Sequence, residues 1–278
     1  MAYATVTVLV DNTVCRQGLA PEFGLAFWIE TGGQYFLFDT GQGPALVGNA
    51  HALGIDLAAA NAVILSHGHY DHAGGLPQFL ECASGPDIYL HPNATISRVS
   101  RQSAPPHRPI GMPSGACAAL ASKRDQVVWV TAPRSVGERL WITGPIPRRQ
   151  RAESDSHRFY EDEACTTPDE IPDDQALWME TEKGIVVLLG CAHAGVLNTL
   201  EHISACTGQT KFHALLGGMH LMNATPEYLQ ETCCALERFG LDLLAPCHCT
   251  GDAASTALKE RFPRAWRPCG AGSHFSFQ

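Results

Sequence analysis

A chain of 278 residues with 45% hydrophobic and 17% charged residues has enough apolar material to bury a full core and too much to stay disordered. Its formal net charge of -9 argues against wrapping nucleic acid or lying on an anionic membrane, since either needs a positive field. No run reaches the ~18 apolar residues of a membrane span, the first residues carry no Lys or Arg of a secretion signal, and eleven cysteines without paired spacing predict reduced thiols in a cytoplasmic protein.

In chain order, the β-rich runs Thr5 to Val10, Leu25 to Glu30 and Tyr35 to Asp39 are separated by Gly-containing turns such as Thr31-Gly32-Gly33-Gln34, which predicts adjacent strands. Pro44 to Leu57 reads as helical, Ala62 to Leu65 as a buried strand, Ala73 to Cys82 as a second helix and Asp87 to Leu90 as a short strand. Between about residues 92 and 175, Pro105, Pro106, Pro109 and Pro113 lie among Ser, Arg and acidic residues, with short strands at Gln126 to Val130 and Leu140 to Thr143. This stretch is expected to leave the core as an excursion able to form a lid. Regular order returns with strands at Ala176 to Thr181 and Gly184 to Leu189, a helix at Gly195 to Cys206 and a strand at Phe212 to Leu216. A helix at Pro226 to Phe239, a strand at Asp242 to Ala245 and a helix at Thr250 to Phe262 complete the series. The pattern predicts one α/β domain over residues 1–278, with two sheets face to face and helices outside.

The stretch Ser66 to Leu76, SHGHYDHAGGL, follows the buried strand directly. Residues two apart on extended backbone face the same way, so His67 and His69 can offer imidazoles to one metal, while Asp71 and His72 at the helix entry point to a second position. The pair Cys247-x-Cys249 lacks the second pair a zinc finger needs.

This stretch resembles the HxHxDH signature of the metallo-β-lactamase-fold superfamily. The blocks Phe38-Asp39-Thr40-Gly41, Gly190-Cys191-Ala192-His193, Gly217-Gly218-Met219-His220-Leu221 and Pro246-Cys247-His248-Cys249-Thr250-Gly251 resemble one branch of it, related to the 7,8-dihydropterin-6-methyl-4-(β-D-ribofuranosyl)aminobenzene-5'-phosphate synthases. The resemblance spans nearly the whole chain and implies an αββα sandwich with a metal site at one edge of the two sheets. It implies His193 as third ligand of the first metal, and His248 as third ligand of the second beside Asp71 and His72. Asp39 is a candidate to accept the free ring N–H of a ligand histidine and so fix its tautomer.

Cys191 stands where many members carry an aspartate that bridges the two metals; it is either a thiolate ligand of the second metal or a small core residue. His220 is a candidate for lining the pocket, donating to a substrate oxygen or binding metal. Thr250 and Gly251, expected to open the last helix, are candidates for holding a phosphate or carboxylate on backbone N–H groups, with Arg148, Arg149 and Arg151 as possible partners of the same anion. Glu22-Phe23-Gly24 departs from a frequent Glu-His-Gly, in a place where substrate contacts are expected.

One or two divalent ions are expected, zinc first, with iron(II) and manganese(II) also suited to the donor set. The leading functional expectation is a metal-dependent hydrolase whose metal-bound hydroxide attacks a small, anionic, ester-type substrate, with Asp71 orienting the water and taking its proton. The alternatives are a synthase-like lyase or transferase acting on a phosphoribosyl compound, and a non-catalytic ligand sensor. The expected partner is a small molecule, not nucleic acid or a membrane; substrate identity and oligomeric state stay open.

Overall fold

Alternate residues of a strand face opposite ways, and here both directions are apolar, as in sheets covered on both faces. In β3 (Gln34–Phe38), Phe36 and Phe38 enter one core cluster while Leu37 enters another. Ile64 and Val63 divide the same way in β4 (Ala62–Ile64), as do Val186 and Leu188 against Val187 and Leu189 in β13 (Gly184–Leu189). The computed structural model, described over residues 4–150 and 158–278, accordingly has two sheets sharing an interior.

The first sheet runs β16 (His274–Phe277), β1 (Ala4–Val10), β2 (Ala26–Thr31), β3, β4, β5 (Asp87–Leu90), β8 (Val127–Trp129). It is antiparallel as far as β3 and parallel from there on. The second runs β15 (Leu243–Cys247), β14 (Phe212–Gly218), β13, β12 (Ala176–Thr181), β10 (Leu140–Ile142), β9 (Arg134–Ser135), parallel among β15, β14 and β13 and antiparallel beyond. Helices α1 (Leu46–Leu53), α3 (Leu76–Cys82) and α4 (Ser114–Ser122) pack Leu46, Ala50, Phe79 and Leu120 on the outer face of the first sheet. Helices α5 (Val196–Thr207), α6 (Pro226–Glu237) and α7 (Asp252–Arg261) pack Leu200, Ile203, Leu236 and Leu258 on the second. This is the αββα sandwich the sequence predicts.

Several details differ from the sequence reading. The edge strand β16 was not anticipated: it offers only Phe275 and Phe277 inward, too short an alternation to stand out, and closes the sheet by pairing Phe277 with Ala4. The final helix begins at Asp252 and not at Thr250, because Gly251 has φ 76 and ψ 157, outside the helical region. Within the stretch at about 92–175, β8 extends the first sheet and β9 and β10 the second; β6 (Val99–Ser100), β7 (Arg108–Pro109) and β11 (Phe159–Tyr160) form a small separate sheet. None of the eleven cysteines is in a disulfide. No helix among the described residues is long and apolar enough to cross a membrane.

The small sheet is tied to the sandwich by a buried ion cluster. Arg98 is 1% exposed; its Nε lies 2.7 Å from Asp169 Oδ2, Nη1 donates to Asp173 Oδ2 at 3.1 Å, and Nη2 pairs with Asp173 Oδ1 and with Asn93 O. Asp173 Oδ2 also accepts the Gly68 N–H at 2.8 Å, which fastens the cluster to the histidine-rich segment Ser66 to Leu76. Arg98→Met strips two buried carboxylates of their partner and is expected to cost about 3–5 kcal/mol. Urea unfolding checks this, and an unchanged midpoint would show that the cluster does not hold the sheet.

Candidate metal centre

Strands β3 and β4 are parallel neighbours in which Phe38 is level with Ile64, so Asp39 and Ser66 leave the sheet side by side. Asp39 is fully buried, and its carboxylate is the hub of the site. Oδ1 accepts the Ser66 N–H at 2.7 Å; Oδ2 accepts Ser66 Oγ–H and His72 Nδ1–H, each at 2.7 Å. Since the Ser66 hydroxyl proton is committed to Asp39, Ser66 Oγ accepts from His67 Nδ1 at 2.8 Å. Asn12 Oδ1 accepts the Gly24 N–H at 3.2 Å and takes His248 Nδ1–H at 3.1 Å. In His67, His72 and His248 a proton is thereby fixed on Nδ1, and each Nε2 is turned to the same space, where it can ligate once unprotonated.

These ring nitrogens converge on one another and on Cys191. His72 Nε2 lies 3.1 Å from His248 Nε2 and 3.2 Å from Cys191 Sγ, and His67 Nε2 lies 2.9 Å from His69 Nδ1. Such spacings hold either a shared proton or a metal ion, and a tetrahedral zinc with Zn–N bonds of about 2.0–2.1 Å sets neighbouring donors about 3.3 Å apart. The residues therefore fit a metal. The donor atoms of His67, His69 and His193, and those of Asp71, His72 and His248, each lie within 4.8 Å of one another. Asp71 Oδ2 is 3.5 Å from His248 Nε2 and 4.0 Å from His72 Nε2.

His193 is placed by its backbone: Arg148 Nη1 donates to His193 O at 2.8 Å, and the next residue, Ala194, donates its N–H to Asp174 Oδ2 at 2.7 Å. Burial pushes Asp174 up to about 6 despite that hydrogen bond and Arg148. Cys191 Sγ lies within ligand range of both sets, grouped with His67 and His72, with His193 and His220, and with His248 and Cys249. The His220 ring is 4.3 Å from that of His193, and the His220 N–H donates to Cys249 Sγ at 3.3 Å. Cys249 at the cluster was not anticipated, though its place beside His248 in the chain is the signal that points to it. Its neighbour Cys247 faces the sandwich interior. Of the six non-glycine residues with positive φ among those described, Asp39, Ala192, His220 and His248 belong to this site. Such conformers cost about 1–3 kcal/mol each and collect where the surroundings impose them.

Burial, reinforced by neighbouring imidazoles, holds His67, His69 and His248 well below the usual histidine value, so they are neutral and fit to ligate. His72 is different. Burial lowers it, but the carboxylates of Asp39 and Asp71 outweigh that and raise it to about 9. Burial raises Asp71 and, with a hydrogen bond to Cys249, keeps the Cys191 thiol protonated.

None of Thr250, Gly251, Arg148 and Arg149 lines the pocket over this cluster. The Thr250 hydroxyl accepts the Met219 N–H at 3.1 Å instead of capping a helix. Thr250 and Gly251 line a neighbouring cavity with Asp11, Asp252 and His248. The Arg148 guanidinium donates to His193 O and Glu170 O. Arg151 lies outside the described residues. The pocket over the metal cluster, about 370 Å³, is instead walled by Phe23, Tyr70, Ser100, Arg108, Ile110, Arg158, Phe159 and Met222 above His69, Asp71, His193, His220 and His248.

Residues 19–142 match the sequence model of the metallo-β-lactamase superfamily. Two proteins of Methanocaldococcus jannaschii align with 92% of this chain at 27% identity. One, an uncharacterized protein, is covered over 94% of its length. The other, named 7,8-dihydropterin-6-methyl-4-(beta-D-ribofuranosyl)-aminobenzene-5'-phosphate synthase, is covered over 90%. The crystal structure of a metal-dependent hydrolase of the β-lactamase superfamily superposes at a TM-score of 0.83 and 28% identity, covering 98% of each chain.

Asp39→Asn places an amide donor against the Ser66 or His72 donors and is expected to weaken metal binding about 10–100-fold, read by competition with a chelator. A pH dependence follows from His72. Below about 9 its ring holds a proton that a metal ion must displace, so apparent affinity at that position should rise with pH, about tenfold per unit, and level off above about 9. Affinity independent of pH between 6 and 8 would remove His72 from the ligand set.

Proposed function

We propose that this chain, which has the metallo-β-lactamase fold, is a metal-dependent hydrolase acting on a small ester-type substrate that carries an anionic group. The observation that carries the reading is the pair of donor sets, His67, His69, His193 and Asp71, His72, His248, of which His69, Asp71, His193 and His248 line one pocket. Divalent ions held there supply a Lewis acid for a carbonyl or phosphoryl oxygen and lower the pKa of water to about 7. Zinc suits the nitrogen-rich set best, and iron(II) or manganese(II) also suit it.

The rest is done by the chain. Asp39, Ser66 and Asn12 aim the imidazoles. Asp71, whose carboxylate lines the pocket, orients the attacking water and holds its proton at a carboxylate oxygen. His220 lines the same pocket beside His193 and faces the position of a substrate oxygen. Phe159 stacks edge-on to His69 at 5.5 Å and Phe23 lies 5.3 Å from His248, so aromatic rings exclude water from both ends of the donor cluster.

A second reading, a synthase-like lyase or transferase, is favoured by the Methanocaldococcus relative of that name. Panels of phosphodiesters, lactones and thioesters separate the two, with turnover expected for the hydrolase and none for the synthase. Single His67→Ala and His248→Ala variants should lose bound metal, and Asp71→Asn should lose about a hundredfold or more in kcat. Full metal content with full activity in all three would end the hydrolase reading.

A further inference from the structure

The wall of this pocket carries two permanent cations, Arg108 and Arg158, both exposed. Arg108 belongs to β7 of the small sheet and Arg158 immediately precedes its strand β11. There Phe159 of β11 pairs with Ser100 of β6, and Ser100 with Arg108 of β7. Directly paired residues share a face, so Phe159, Ser100 and Arg108 form one row across three strands, spanning about 10 Å at the usual strand spacing. All three line the pocket. The Phe159 end of the row sits against the metal cluster, its ring 5.5 Å from that of His69 and 6.1 Å from that of His193. Arg108 stands at the far end.

Arg108 is held in place rather than left to wander. Its Nη2 donates to Tyr70 Oη at 2.6 Å, and its guanidinium lies 5.1 Å over the Tyr70 ring. The Arg158 guanidinium lies 5.7 Å over the Phe159 ring. Among the described residues no carboxylate pairs with either one. In a protein of net charge -9, two guanidinium groups on the wall of one pocket, with no carboxylate partner among the described residues, form an anion-recognition edge; planar forks of this kind match a carboxylate or phosphate in two hydrogen bonds each. The remaining mouth is apolar. Phe23 and Met222, 45% and 48% exposed, are among the few large hydrophobic side chains left in solvent, and both line this pocket.

We propose that Arg108 and Arg158 select substrates with an apolar or aromatic body that carries a carboxylate or phosphate remote from the scissile bond, the guanidinium pair holding that oxyanion while the bond to be broken lies over the histidines. This deepens the hydrolase reading and rests on it for the word substrate; the binding edge itself does not. The test is calorimetric titration of the metal-loaded protein with phenylphosphonate and with benzoate, and with benzamide as the neutral control. Both anions should bind more tightly than benzamide, and the Arg108→Gln/Arg158→Gln double variant should lose about tenfold or more in affinity for the preferred anion while benzamide binding and metal content stay at parent values. The preferred anion identifies phosphate or carboxylate as the natural group. Arg158→Gln alone, at an exposed position, serves if the double variant fails to fold, with a smaller loss in the same direction. Unchanged anion affinity in folded, metal-loaded variants overturns the proposal, because the anions then bind through the metal alone. A protein inert toward every ester that still binds these anions through the arginines refutes the hydrolase reading and leaves the recognition edge standing.

Discussion

Asp39 concentrates three hydrogen bonds on one fully buried carboxylate, and the direction of two of the motif's three histidines follows from it. It orients His72 directly and His67 through the Ser66 hydroxyl, so a single negative charge sets two imidazoles belonging to different donor sets. Space around that charge is as constrained as the charge itself. A Cβ on Gly190, where the second sheet ends, would sit 2.2 Å from Ser66 Oγ and 3.1 Å from Asp39 Oδ2. Only a glycine lets the two sheets bring their strand ends this close, which is how Cys191 and His193 from one sheet reach His67 and His72 from the other.

A second constraint joins chemistry to selectivity. The strands that wall the pocket are short and could not fold alone, having two residues each. Their position comes from Arg98, whose partner Asp173 also grips the Gly68 N–H between His67 and His69. Gly68 is itself pressed so closely on Ala94 that an added Cβ would fall 1.9 Å from its carbonyl oxygen. The wall and the floor of the pocket thus share a hydrogen-bonding residue, and Tyr70, sitting between His69 and Asp71, adds a second tie through Arg108.

What the sequence disclosed was mostly local. Strands buried on both faces read as apolar runs, and donors two residues apart on extended backbone read as one set, because both signals lie within a few positions. The supports of those donors are remote in sequence. Asn12 reaches His248 across 236 positions, Asp173 reaches Gly68 across 105, and Arg148 reaches His193 across 45. Nothing in a run of residues records such pairings. Thr250 shows the opposite failure: a threonine before a helical stretch has the local look of a cap, yet Gly251 turns the backbone out of the helix and leaves the hydroxyl to Met219.

The first and last strands of the chain pair with each other, and the contacts of His248 with Asp11 and Asn12 lie at the same closure. This gives assembly an order in time. His67, His69 and His193 have all emerged from the ribosome while the last strands are still unmade, whereas Asp71 and His72 must wait for the carboxy-terminal segment to dock against the amino-terminal one. Long-range closures of this kind are slow relative to local structure. The two donor sets therefore mature at different moments of synthesis, the second only once His248 and the strand β16 that follows it have been made, so that a product interrupted before them lacks a finished pair of sites.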